Sequence, residues 1–137
     1  MLNNELIKLQ FPINPAYVSS ARLTVSSIAN RLSFDIDETE DLKSAVSEAC
    51  AYIIKRLSKR QSAVSEDAVF VICFSLSRNE MKIDIEATDS AGIENENPDE
   101  MSLKMIKALV DAFEIMEPET GKVTISMLKK RKKNFFV

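Results

Sequence analysis

Hydrophobic residues between positions 41 and 57 recur at steps of three and four, which is the period of an α-helix with one buried face. A second stripe of side chains runs beside this face at the same spacing, and it carries charge and an aromatic ring. The core-facing stripe comprises Leu42, Val46, Ala49, Cys50, Ile53 and Leu57, and the second stripe comprises Asp41, Ala45, Glu48, Tyr52 and Arg56. We expect the first stripe to pack on a sheet and the second to carry any chemistry of the chain.

The rest of the chain alternates between strand and helix patterns. A nearly continuous apolar run, AVFVICFSL, predicts a strand that is buried on both faces. Strand patterns occupy residues 5–11, 68–76, 81–87, 114–116 and 122–128, and two further helix patterns occupy residues 15–32 and 101–113. The order β-α-α-β-β-α-β-β predicts an α+β two-layer sandwich, with three main helices on one face of a mixed, mostly antiparallel sheet.

Polar residues mark where the first two helices begin. Asn14 is a candidate N-cap for the first helix, with Pro15 at its first position. Asp37 is a candidate N-cap for the second helix, with Glu40 three residues later as its partner in a capping box.

Length and charge predict one domain, residues 1–137, that ends in a flexible basic tail at residues 129–137. The chain is 45% hydrophobic, 28% charged and has a formal net charge of −3, so nothing global favours nucleic acid. It has no apolar run of membrane-spanning length, and its first residues lack the layout of a signal peptide. We therefore expect a cytoplasmic protein without a membrane or nucleic-acid partner, whose Cys50 and Cys73 are buried free thiols.

Two absences exclude whole classes of chemistry. There is no histidine, so histidine acid–base catalysis, histidine metal ligation and a Ser-His-Asp triad are excluded. Gly92 and Gly121 are the only glycines, which is too few for a glycine-rich phosphate loop.

Several segments, taken together and in order, resemble the bacterial anti-sigma factor serine kinases. The segments are FPINPAYVSSARLTVSSIANRLSF, DLKSAVSEACAYIIKRL, KIDIEATDSAG, MSLKMIKALVDAFEI and GKVTISMLKK. These switch kinases belong to the histidine-kinase-like ATPase superfamily, whose fold agrees with the predicted order of elements. The resemblance implies binding of a sigma factor, use of ATP with Mg²⁺, and phosphorylation of a serine on an anti-anti-sigma partner. It also implies a homodimer.

The resemblance assigns roles to positions on the second helix, and two of its three expected residues are replaced. Glu48 matches the glutamate that acts as general base. Tyr52 stands where the family has the asparagine that ligates Mg²⁺, and a phenol is a poor ligand for a hard cation. Arg56 stands where the family has a histidine.

The other ATP motifs are also altered. Asp89 matches the aspartate that binds adenine, but Ala91 and Ile93 replace two glycines, with Gly92 displaced between them. Ser102 replaces a glycine, and the preceding residues 94–100 carry four acids that would repel a triphosphate. We therefore expect an anti-sigma-like protein that sequesters a partner and whose ATP binding is lost or weakened. The alternatives are an active serine kinase that uses ATP with Mg²⁺, and a structural module whose first helix self-associates.

Each candidate residue also has a simpler interpretation. Glu48 is either a vestigial general base or an ordinary helix glutamate, and Asp89 either binds adenine or caps a turn. Tyr52 either plugs the nucleotide pocket or is partly exposed. Arg22, on the first helix, either contacts a partner protein or is solvated, and the run Lys129 to Lys133 either meets an acidic partner or is a solvated end.

Overall fold

The computed structural model describes residues 5–57, 68–88, 100–117 and 122–132, and it confirms the predicted α+β architecture with helices packed on one sheet. The described strands are β1 (Glu5–Pro12), β2 (Val69–Leu76), β3 (Glu80–Thr88), β4 (Ala112–Met116) and β5 (Lys122–Lys130), and the described α-helices are α1 (Val18–Arg31), α2 (Ile36–Leu57) and α3 (Glu100–Leu109). The order of strands in the sheet is β1-β2-β3-β5-β4. No described helix is both long and apolar enough to cross a membrane.

All neighbouring strands in this sheet are antiparallel, whereas the sequence predicted a mixed, mostly antiparallel sheet. The register aligns hydrophobic residues across the whole sheet. One such row runs through Leu9, Ile72, Ile85, Ile125 and Ile115, one residue from each strand. Because a slip of one residue would turn every side chain to the opposite face, this alignment fixes which face the helices cover.

The prediction that β2 is buried on both faces is wrong. Its side chains alternate between buried ones, such as Phe70 and Ile72, and half-buried ones, such as Val71 and Cys73. Among the described residues the helices cover one face of the sheet, and the residues of β2 that point to the other face are half-buried. Composition alone could not distinguish these two environments, because both favour β-branched residues.

The first helix begins at the predicted place. The Asn14 side chain accepts a hydrogen bond from the Ala16 backbone N–H at 2.9 Å, and Pro15 follows directly. The first turn, Pro15–Tyr17, is a 3₁₀-helix that leads into α1. The predicted N-cap is therefore confirmed.

The predicted capping box of α2 is wrong by two residues. The Asp35 carboxylate accepts from the Glu38 N–H at 2.7 Å, and the Glu38 carboxylate accepts from the Asp35 N–H at 2.8 Å, so Asp37 and Glu40 lie inside the helix. Glu38 is only 2% exposed, and its second oxygen accepts from the Lys132 N–H at 2.6 Å. Both Asp35 with Glu38 and Asp37 with Glu40 fit the capping-box pattern. The contact of Glu38 with Lys132, which is remote in sequence, favours the first pair.

Helix α3 is shorter than predicted, and β4 is longer. The helix ends at Leu109, and Ala112 and Phe113 belong to β4, where Phe113 pairs with Met127. The apolar spacing in this segment also fits a strand at the end of a helix, and pairing with β5 decides the boundary.

The predicted start of the flexible tail is also wrong, because Lys129 and Lys130 belong to β5. The Lys129 ammonium group donates to the Leu109 carbonyl at 2.8 Å and pairs with the Asp41 carboxylate at 3.1 Å. Residues 133–137 lie outside the described residues, so the rest of the tail prediction stays a prediction.

Candidate functional site

The second stripe of α2 is covered by other parts of the chain, although the sequence predicted it as the face for chemistry. Ala45, Tyr52 and Arg56 are buried, with Tyr52 at 2% and Arg56 at 7% exposure, while Asp41 and Glu48 are half-buried. Helix α3 and the ends of β4 and β5 supply the residues that contact the stripe. Each polar residue of the stripe has a partner from one of these elements or from α2 itself.

Glu48 and Ser102 are 54 positions apart in the chain, and the structure brings them together. The Ser102 hydroxyl donates to the Glu48 carboxylate at 3.1 Å, and Ser102 is only 4% exposed. The contact joins the middle of α2 to the first turn of α3. The predicted general base is therefore occupied on one oxygen by a residue of its own chain.

Tyr52 lies in the hydrophobic core with its hydroxyl engaged. That hydroxyl accepts a hydrogen bond from Arg56 Nη1 at 2.8 Å, one helical turn further along α2. The guanidinium carbon of Arg56 is also 5.7 Å from the centre of the tyrosine ring, within the range of a cation–π contact. The phenolic oxygen therefore faces a fixed positive charge.

Glu117, directly after β4, holds the other side of the Arg56 guanidinium. The two groups form a forked ion pair, with distances of 2.8 Å from Nη1 to Oε2 and 3.0 Å from Nη2 to Oε1. Burial by itself lowers the pKa of Arg56, but the hydrogen bonds with Glu117 and Tyr52 outweigh burial and raise the pKa above its ordinary value. Sequence reasoning missed Glu117, because no local pattern links it to a helix 61 residues earlier.

The family resemblance implies Mg²⁺ with ATP, and such a site needs oxygen ligands from the second stripe of α2. Mg²⁺ prefers carboxylate and water oxygens in an octahedral arrangement. Tyr52 offers a phenol that already accepts from Arg56, and the adjacent guanidinium would repel a divalent cation. Within the described ranges, no three His, Cys, Asp or Glu side chains converge as metal ligands. The described residues of the stripe do not fit a magnesium site.

Of the remaining predicted site residues, the structure describes Arg22 but not Asp89 or Gly92. Asp89 and Gly92, predicted for adenine and phosphate contacts, lie outside the described residues. Arg22 lies exposed on α1, beside Leu23, which is 70% exposed. Its role toward a partner stays a prediction, and Leu23 is an exposed apolar neighbour that the helical pattern did not single out.

The fold and the order of these segments agree with known proteins. The sequence profile of the histidine kinase-like ATPase domain matches residues 11–129. The crystal structure of the RsbU and RsbW domains of a Mycobacterium tuberculosis protein is similar in fold, with a TM-score of 0.71 at 15% identity, covering 97% of this chain and 34% of that one.

Sequence comparison narrows the class further. The serine-protein kinase RsbW of Staphylococcus epidermidis is 34% identical over 146 residues, covering 94% of this chain and 89% of that protein. RsbW of Bacillus thuringiensis strain Al Hakam is 39% identical over 80 residues, covering 58% of this chain and 46% of that protein. The chain belongs to the histidine kinase-like ATPase family, among the RsbW-type switch kinases and anti-sigma factors, and the resemblance found in its sequence is confirmed.

Proposed function

We propose that this protein is a cytoplasmic regulatory member of the RsbW family that sequesters a protein partner and binds ATP weakly or not at all. The partner is a sigma factor or an anti-anti-sigma antagonist, and the active form is a homodimer. Family membership supports the partner class.

The observation that carries the loss of ATP binding is the environment of Tyr52. Its ring occupies core space at the asparagine position of the family, and its hydroxyl accepts from a guanidinium that Glu117 holds in place. Because a guanidinium repels Mg²⁺, a metal-bound triphosphate would have to displace the ion pair that holds the buried Arg56 before it could bind. Phosphoryl transfer depends on positioned metal and phosphate, so catalysis is weakened together with binding.

Isothermal titration calorimetry with ATP and Mg²⁺ tests this proposal. We expect no saturable binding at ligand concentrations up to the millimolar range. The RsbW of Staphylococcus epidermidis, measured in parallel, is the matched control. Saturable, Mg²⁺-dependent binding at micromolar concentrations would overturn the loss of ATP binding.

Partner sequestration is tested with purified sigma factors and antagonists of the native cell, each mixed with the full chain in gel filtration. We expect one of them to co-elute, and we expect Arg22→Glu to weaken that complex because the variant reverses an exposed charge on α1. Arg78→Glu changes the net charge equally at an exposed position in the β2–β3 turn and is the matched control. Equal loss in both variants would contradict a specific role for Arg22.

An active serine kinase remains the second candidate, and the retained Glu48 favours it. Glu48 is half-buried, and one of its carboxylate oxygens accepts from Ser102. Within the described residues the other oxygen has no hydrogen-bond partner, which leaves it for a substrate hydroxyl. Transfer of labelled phosphate to a purified antagonist, abolished by Glu48→Gln, would establish this activity. Absence of transfer with Mg²⁺ or Mn²⁺ would exclude it.

A further inference from the structure

A groove with a volume of about 490 Å³ lies between α3 and β4. Its floor is apolar and consists of Leu103, Val110 and Phe113, of which Val110 is buried and the other two are half-buried. Val110 belongs to the hydrophobic core, and Leu103 and Phe113 pack against that core. A groove of this kind can receive an apolar side chain without rearranging the protein.

The rim of the groove carries unbalanced positive charge. Lys104 and Lys107 are exposed, and within the described residues neither ammonium group forms an ion pair or a hydrogen bond. The third charged residue at the rim, Asp111, is already engaged, because its carboxylate accepts from the Lys130 N–H at 2.6 Å. Two ammonium groups and one carboxylate leave the rim with a formal charge of +1, on a protein whose net charge is −3.

The groove also runs beside an open edge of the sheet. Strand β4 is the last strand in the order and pairs only with β5 among the described strands. Within the described part of the chain nothing pairs with its outer N–H and C=O groups, and an extended chain can add to such a sheet edge through main-chain hydrogen bonds.

We propose that this groove and the edge of β4 bind an extended acidic segment of a partner protein. One apolar side chain of the segment enters the groove between Leu103 and Phe113, and flanking carboxylates contact Lys104 and Lys107. A second copy of this chain fits less well, because pairing at this edge would bring the two lysine rims together. The proposal rests on the proposed partner-binding role and adds the place and the chemistry of the contact.

A display library of random twelve-residue peptides, selected on the full-length protein, tests the proposal. We expect selected peptides to be enriched in Asp and Glu around one large apolar residue. The double variant Lys104→Glu/Lys107→Glu is expected to weaken their binding about ten-fold at low salt, with a smaller loss at high salt. The matched control Lys8→Glu/Arg78→Glu changes the net charge equally at exposed positions on β1 and in the β2–β3 turn, and we expect it to bind as the wild type does.

Amide chemical shifts of labelled protein locate the bound peptide. We expect changes along residues 103–116 and little change in β1. No enrichment of acidic peptides, shift changes elsewhere, equal weakening by both double variants, or self-association through β4 would each overturn the proposal. If the peptides fail while a sigma factor or antagonist still co-elutes with the lysine variant, the groove proposal fails and the proposed function stands.

Discussion

Replacing Tyr52 with phenylalanine removes one oxygen atom from the core and leaves the ring in place. That oxygen accepts from Arg56 Nη1 at 2.8 Å, and both residues are almost fully buried. Tyr52→Phe therefore isolates a single hydrogen bond to a charged group, without creating a large cavity and without removing the ring that lies 5.7 Å from the guanidinium.

The expected loss of stability depends on the interactions that Arg56 keeps in the variant. A hydrogen bond to a charged group contributes about 1.5–3 kcal/mol, and burial limits screening by salt. The forked pair with Glu117 stays, so the guanidinium is not left without a counterion. We expect the variant to lose about 2 kcal/mol in its free energy of unfolding, toward the lower part of that range.

Urea denaturation followed by circular dichroism measures this loss as a lower midpoint at unchanged slope. Tyr17→Phe is the matched control, because it removes a hydroxyl from a residue that is 44% exposed. We expect that variant to change the free energy of unfolding by less than about 0.5 kcal/mol. If both variants unfold at the same midpoint, the Tyr52–Arg56 contact does not hold the end of α2, and the argument for a blocked metal position loses its support.

Three further predictions concern α2 and its contacts. Burial raises the pKa of the Cys50 thiol from 9.0 to about 12, so the thiol ionises in the unfolded chain at a lower pH than in the folded protein. The free energy of unfolding should therefore fall between pH 9 and pH 12, by roughly 1 kcal/mol per pH unit, in wild type but not in Cys50→Ala. Ser102→Ala should cost about 1 kcal/mol in urea denaturation, because the Glu48 carboxylate loses a donor at 3.1 Å. Glu38→Ala should cost about 2–3 kcal/mol, because two backbone N–H groups lose their acceptor at a site that is 2% exposed.

Each of these predictions has a result that contradicts it. Equal alkaline slopes in wild type and Cys50→Ala would mean that this thiol does not control the alkaline loss. A Ser102→Ala variant as stable as wild type would show that water replaces the hydroxyl at Glu48. For Glu38, the control is Glu40→Ala, an exposed residue of the same helix, and equal losses in both variants would contradict a specific role for the buried carboxylate.

Periodicity by itself determined most of the element types in this chain. The alternation of Met81, Ile83, Ile85 and Ala87 predicted the buried face of β3, and all four are buried. The three- and four-residue spacing of α2 likewise predicted its core face. These predictions succeed because the side-chain periods of helix and strand are local properties of the backbone. The family resemblance also came from the sequence, since several motifs occur in the right order.

Tertiary contacts decided the boundaries. The capping box at Asp35 and Glu38 and the end of α3 at Leu109 depend on Lys132 and on β5, which are remote in sequence. The local sequence cannot distinguish two candidate capping boxes when a backbone group that is remote in sequence determines which one forms. The same reason explains why β5 continues through Lys129 into the predicted tail.

The second stripe of α2 also shows which features the sequence predicts and which depend on tertiary contacts. The sequence alone placed Glu48, Tyr52 and Arg56 on one helical face, and the family resemblance predicted that Tyr52 stands at a metal-ligand position. Only the tertiary structure showed that Ser102 and Glu117 satisfy this face from other elements. Spacing along one helix fixes which residues share a face, but the partners of that face come from segments whose positions depend on packing of the whole chain.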